Sequence, residues 1–147
     1  MPDIALEWQR FAELSAERLY ELLRFRQAIF VVEQRSPFPD LDGIDQEAWH
    51  LLLRIAGRLG GCLRLQPPPH LRIGRLAIAA GLRRQGLARR LMTEALGCCR
   101  EHWPGRPILL TAQLPLVGFY EGLGFSPISQ PYDDFGLTHL HMRRLPG

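Results

Sequence analysis

Apolar positions along this chain change period several times, and each change marks an element. "IALEWQRF" (Ile4–Phe11) predicts a short first strand. From Ser15, a good N-cap residue, the apolar positions Leu19, Leu22, Leu23, Ala28, Ile29 and Phe30 fall mainly three and four apart, which predicts a helix. "SPFPDLDGID" (Ser36–Asp45) is turn chemistry and predicts a loop. "WHLLLRIAGRLGGCLRLQ" alternates around Gly57–Arg58 and predicts a hairpin; "PPPHL" interrupts the chain, and Arg72–Ala79 is a further strand. A helix to about Arg100 follows, with Ala88, Leu91, Met92, Ala95 and Cys99 as its sheet-facing stripe. "WPGRP" ends it, and Ile108–Gln113 is a buried strand. Pro115 opens a short helix with Leu116, Phe119, Tyr120 and Leu123 on one face and Gly124 at C′. The chain closes on a hairpin around Phe135–Gly136. This order predicts a mixed α/β fold: a largely antiparallel sheet of about six to seven strands flanked by helices.

The segment "GLRRQGLARRLM" (Gly81–Met92) breaks the local rules. A helix start favours Ser, Thr, Asp or Asn at the N-cap and carboxylates in the first turn. Here it carries glycine, with Arg83, Arg84, Arg89 and Arg90 at the positive end of the dipole. Strand, tight turn and helix N-terminus together receive phosphate through main-chain amides, and the lack of bulk at Gly86 and Ala88 lets an anion approach. The dipole alone favours such an anion by about 0.3–1 kcal/mol. The arginines then act as counter-charges. Neither G-x-x-x-x-G-K-[ST] nor G-x-G-x-x-G occurs.

Composition narrows the picture. The 147 residues show no repeat, linker or composition break and are expected to form one domain, 1–147. No apolar run reaches membrane-span length and the start lacks a signal-peptide pattern, so a cytoplasmic location is expected. All eighteen basic residues are arginine, and a net charge of +3 spread along the chain argues against nucleic acid as partner. Cys62, Cys98 and Cys99 fall on core-like positions, and no metal-ligand spacing is present, so no metal site is expected.

With these residues in view, "Arg83-x-x-Gly86-x-Ala88", preceded by "LAIAAGL", resembles the R-x-x-G-x-G/A signature of the GNAT superfamily of acyl-CoA-dependent N-acyltransferases. The resemblance implies a GNAT-type fold with acetyl-CoA as co-substrate. It implies that Leu76, Ala77 and Ile78 pair with the pantetheine arm. It further implies that the loop of Arg83, Arg84, Gln85, Gly86, Leu87, Ala88 and Arg89 holds the pyrophosphate. Arg84 departs from the glycine often found there. "VGFYEGLGF" (Val117–Phe125) resembles the family's second signature, which implies that Tyr120 lies near the thioester sulfur. A tyrosine, protonated at neutral pH, can protonate the departing thiolate.

"LRFRQAIFVVEQRSPFPDLDGID", the following "WH" and "PYDDFGLTHLHM" resemble the small bacterial ElaA-type branch over nearly the whole chain. The acceptor side is expected to draw on Arg26, Phe30, Glu33, Asp42, Asp45, Gln113 and Tyr132. Glu33, Asp40, Asp42, Asp45 and Glu47 form an acidic segment suited to attracting an ammonium group, although for Asp40 and Glu47 ordinary turn chemistry is the expectation. Glu33 ends an apolar run and needs a partner: either Arg26 pairs with it or it faces the substrate. No carboxylate occurs in Leu71–Ala80, where some relatives carry a catalytic glutamate, so the base is open among Glu33, His50 and His139. His139 and His141, two apart on a strand, share a face.

The expected reaction is acetyl transfer to a small-molecule or peptide amine by direct attack in a ternary complex. Similarity of the acidic segment to acyl-homoserine-lactone synthases keeps an acyl carrier protein open as donor. A non-catalytic sensor of coenzyme A is the non-enzymatic alternative. A sheet edge in the C-terminal hairpin is available to pair with a second copy.

Overall fold

The structure, a computed structural model, describes residues 3–146. Its strands are β1 (Ile4–Arg10), β2 (Trp49–Ile55), β3 (Arg58–Gln66), β4 (Arg72–Ile78), β5 (Ile108–Gln113), β6 (Ser126–Pro127), β7 (Tyr132–Asp134) and β8 (Leu137–Arg144). They form one sheet in the order β1-β2-β3-β4-β5-β8-β6, with β7 also pairing with β8. Every pairing is antiparallel except β4 with β5. The helices are α1 (Ala16–Gln27), α2 (Leu87–His102) and α3 (Val117–Glu121).

Period-two alternation sorts the sheet's two faces. In β2, Leu51 and Leu53 join the core that includes Leu91, Met92 and Ala95 of α2, whereas Leu52 joins Leu22 and Ile29 on the α1 side. Burying Leu87, Leu91 and Met92 stabilises α2 by roughly 1.5–3 kcal/mol each. That outweighs the ~0.3–1 kcal/mol penalty each arginine meets at the helix start, so the helix forms despite them.

The local expectations hold in most places. Ser15 caps α1 by accepting a hydrogen bond from the Arg18 amide. The first hairpin turns on Ala56 and Gly57, one residue earlier than the alternation places it, with φ of 51° and 81°. The second turns on Phe135 and Gly136, φ 51° and 87°, the twist that two-residue hairpins require. After α3, Phe125 N donates to Tyr120 O and Gly124 N to Glu121 O, a Schellman ending with Gly124 at C′ and φ 93°.

Three differences matter for the site. The helical turns do not stop at Gln27 but widen into a π-helical turn, Ala28–Glu33, in which Gln34 N donates to Ile29 O. Ala88 is only half-buried, because it faces the end of the sheet where β4 and β5 separate, while Leu87 and Cys98 join the buried stripe. The penultimate strand is split into β6 and β7 across Pro127 and Pro131, which lack the ladder's donor. Both pieces cover the outer side of β8, so the expected edge for a second copy is reduced to these short strands.

Candidate active site

The site follows from one pairing. β4 and β5 run parallel but register only at Arg72 with Leu109, next to the bond from Leu109 N to Leu71 O. Beyond Arg72 the strands diverge, and the edge of β4 facing β5 loses its strand partner. An opening at the carboxyl ends of adjacent parallel strands is where open α/β sheets take ligands. Two cavities occupy it, of about 730 and 450 Å³.

The larger cavity is lined by Leu76, Ala77 and Ile78 of β4, by the loop before α2, by the π-helical turn and by α3. Arg83, Arg84, Gly86, Leu87, Ala88 and Arg89 all reach it; Gln85 alone of the expected loop does not. Gly86 is the N-cap of α2 at φ 79°, and Arg84 stands at φ 63°. No side chain caps this helix, and its first internal bond is Arg90 N to Gly86 O. The amides of Leu87, Ala88 and Arg89 therefore have no intrahelical acceptors, at a helix start that lines the cavity. For Gly86 the reason is conformational. Its positive φ favours glycine, and a Cβ there would meet no protein atom within 4 Å.

Arg83 is tied in place. Its Nε donates to Ile78 O at 2.9 Å and its guanidinium makes a two-pronged pair with Glu33, Nη2 to Oε1 at 2.9 Å. The Arg83 hydrogen bonds, opposed by partial burial, hold the Glu33 carboxyl below its ordinary pKa. Glu33 thus takes Arg83 as its partner and not Arg26, and with both oxygens engaged it is a poor base.

The smaller cavity is lined by residues from β4, β5, β7, β8 and the loop after α1, among them Arg72, Thr111, Gln113, Tyr132, Asp134 and His139. His139 and Gln113 are register partners and so share a face. His139 Nδ1 lies 2.9 Å from Leu137 O and must donate to it, which leaves Nε2 as the basic nitrogen of the neutral ring. Tyr132 packs against both His139 and His141.

The two cavities share Phe30, Gln34, Leu76, Gln113, Leu116 and Tyr120. Tyr120 is 7% exposed, and burial pushes its phenol up to about 12. It also packs against Phe119 and Phe125, so it is both a core aromatic and part of the wall of each cavity.

The acidic segment does something different from what its composition suggests. Arg26, 1% exposed, binds Asp40 through Nε at 3.0 Å and Asp45 through Nη1 at 2.7 Å. Arg64 holds Asp42 at 2.8 Å and reaches Asp45 at 3.1 Å. Arg75, at φ 50° in a bulge of β4, approaches Asp40 at 2.8 Å and Asp42 at 3.1 Å. The extra β4 residue turns Arg75 onto the face of this network. Three arginines thus neutralise three aspartates, so this cluster carries no net charge. Asp40, expected in turn chemistry, is instead a buried ion-pair partner; of the three, Asp42 also makes the turn bond, accepting from Ile44 N. Burial would raise Asp42, but Arg64, the Ile44 amide and Arg75 together hold it at about 2.

His50 belongs to this network and not to the cleft. It is 2% exposed, and its Nε2 donates to Asp45 O at 2.9 Å. Burial, with the charges of Arg26 and Arg64, lowers its pKa. Arg26, Asp45 and His50 therefore hold the loop that walls the smaller cavity and line neither cavity themselves. Arg72, Asp134, Gln34 and Leu116 also line the cavities without a signal of their own in the sequence, beyond the arginine that opens β4. The three thiols are buried, and burial raises Cys62 and Cys99 to about 12 and Cys98 to about 11. Among the described residues no group of three metal-ligating side chains forms, and no helix is long and apolar enough to cross a membrane.

A splayed β4–β5 pair, an uncapped helix start at one end and a tyrosine at the other define an acyltransferase of the GNAT type. Residues 30–146 match the acetyltransferase (GNAT) domain, and the chain belongs to that family. It is 37% identical to protein ElaA of Escherichia coli strain K12, over 95% of this chain and 96% of that protein. The crystal structure of E. coli ElaA superposes with a TM-score of 0.90 at 34% identity, covering 97% and 99% of the two chains. An acyl-CoA N-acyltransferase from Pseudomonas aeruginosa gives 0.91 at 33% identity, with the same coverage. A CoA-dependent acyl-homoserine lactone synthase shares the fold alone, at 17% identity and a TM-score of 0.79.

Proposed function

We propose that this chain transfers an acetyl group from acetyl-CoA to a primary amine by direct attack in a ternary complex. The observation that carries the reading is the position of Tyr120, where the larger cavity meets the smaller. A donor in one and an acceptor in the other meet at that side chain.

The chain's own groups fit the nucleotide thioester. The uncapped amides of Leu87, Ala88 and Arg89 receive the pyrophosphate, with Arg84 and Arg89 as counter-charges, since Arg83 is engaged by Glu33. The free edge of β4 at Leu76–Ile78 offers main-chain groups to the pantetheine amides. Acetyl-CoA supplies the activated acyl group as a thioester. His139 Nε2 accepts the proton that the acceptor nitrogen sheds as it attacks. Tyr120, protonated at neutral pH, donates its phenolic proton to the sulfur as the carbon–sulfur bond breaks.

Calorimetry with acetyl-CoA, followed by thiol release across a panel of amines, tests the reading. Micromolar binding and amine-dependent thiol release are expected. No binding at millimolar acetyl-CoA overturns it.

A further inference from the structure

The smaller cavity is charged in an ordered way. Arg64 and Arg75 are neutralised by Asp40, Asp42 and Asp45, but among the described residues no carboxylate reaches ion-pair distance of Arg72. Arg72 is only half-buried, and its guanidinium makes one neutral contact, Nη1 to Thr111 Oγ1 at 3.2 Å. Asp134 lines the same cavity and likewise has no arginine within ion-pair distance. Register orders these groups along the strands. Thr111 pairs with His141, Gln113 with His139, His139 with Tyr132, and Leu137 with Asp134. The cation thus stands at one level, the base one pleat further, and the lone carboxylate one pleat beyond that.

We propose that the acceptor amine also carries a carboxylate, which binds Arg72 while its nitrogen lies between His139 and Asp134. This deepens the acetyl-transfer reading and rests on it for the chemistry at the nitrogen. A guanidinium binds a carboxylate through paired charged hydrogen bonds, while Asp134 holds the ammonium form before deprotonation and disfavours a second acid there. Levels two residues apart along a strand are separated by about 7 Å. The nitrogen and carboxylate carbon of an α-amino acid are only about 2.5 Å apart. The spacing therefore selects a longer separation, as in an ω-amino acid or a dipeptide.

The test is a ladder of ω-amino acids, glycine to 5-aminopentanoate, each against the alkylamine of matching length, with acetyl-CoA and thiol release as readout. 5-Aminopentanoate is expected to exceed both pentylamine and glycine in kcat/KM by about 10- to 100-fold, the worth of a charged hydrogen bond. That preference collapses towards one in Arg72→Gln and is partly restored in Arg72→Lys. Calorimetry of 5-aminopentanoate and of pentylamine into the CoA-bound native protein gives the same answer without a variant. Pentylamine acetylated or bound as well as 5-aminopentanoate overturns the inference and leaves acetyl transfer standing. Glycine preferred over 5-aminopentanoate overturns it as well. Selective binding of 5-aminopentanoate with no thiol release from any amine sustains the carboxylate subsite and removes the acetyl-transfer reading.

Discussion

Glu33 and Arg83 lie 50 residues apart in sequence and share two hydrogen bonds across the mouth of the larger cavity. One comes from the π-helical turn after α1, the other from the loop before α2, so the pair ties together both walls of the cleft. An exposed pair contributes at most about 1 kcal/mol to stability. Glu33→Gln is therefore expected to leave unfolding in urea nearly unchanged while raising KM for acetyl-CoA by roughly 3- to 10-fold through a looser loop. Steady-state kinetics decides: a collapse of kcat with loss of the acid limb of the pH profile would mean that Glu33 is the base.

Tyr120→Phe removes one hydroxyl and leaves the packing against Phe119 and Phe125. No hydrogen bond to a protein group is lost among the described residues, so stability should hold within about 1 kcal/mol. General acid catalysis contributes at least about 100-fold, and kcat should fall by that order with acetyl-CoA affinity retained. Stopped turnover and calorimetry on the same preparation separate the two quantities.

Gly86→Ala tests the loop's conformation. At φ 79° an alanine is strained by roughly 1–2 kcal/mol even though open space surrounds it. The expected result is weaker coenzyme binding with a Tm lower by a few degrees. Unchanged affinity for acetyl-CoA would show that these amides do not receive the pyrophosphate.

Arg26 is the centre of the buried network, so removing it strands Asp40 and Asp45. Arg26→Met is expected to destabilise by about 3–5 kcal/mol, as broken buried pairs do. Urea unfolding measures it directly. A loss under about 1 kcal/mol would mean that the loop relaxes to let water reach the aspartates.

The same network sets the acid limit. Asp42 has its folded pKa lowered from 3.8 to about 2, and Asp45 is lowered too, with burial opposed by Arg26 and Arg64. A depressed pKa adds stability that is present above the unfolded value and lost as pH falls through the folded one. Stability should therefore drop between about pH 4 and pH 2, by about 1 kcal/mol for Asp42 after allowing for solvent screening. Urea midpoints at pH 6, 4 and 2.5 check the window, and Asp42→Asn should flatten it.

Element order, both hairpins (the first turn to within one residue), the Ser15 cap and Gly124 at C′ were legible because each depends on residues within one or two turns of chain. The uncapped start of α2 was legible for the same reason: Gly86 at the N-cap with four arginines beside it is a local contradiction, visible in twelve letters. The acidic segment was misread. Composition shows Asp40, Asp42 and Asp45 together, but their partners Arg26, Arg64 and Arg75 come from α1, β3 and β4. His50 is a similar case, since a histidine beside tryptophan on a strand gives no sign of the Asp45 carbonyl that accepts its hydrogen bond.

Taken alone, the chain's residues determine which segments are strands and helices and that α2 starts on a glycine among arginines, because backbone geometry and periodicity act over short distances. Only the tertiary structure decides where β4 and β5 part, which of the arginines lining the smaller cavity lacks a carboxylate among the described residues, and that Tyr120 stands between two cavities. Those outcomes depend on strand order and on the balance of charges contributed by distant elements, and neither is encoded at any single position.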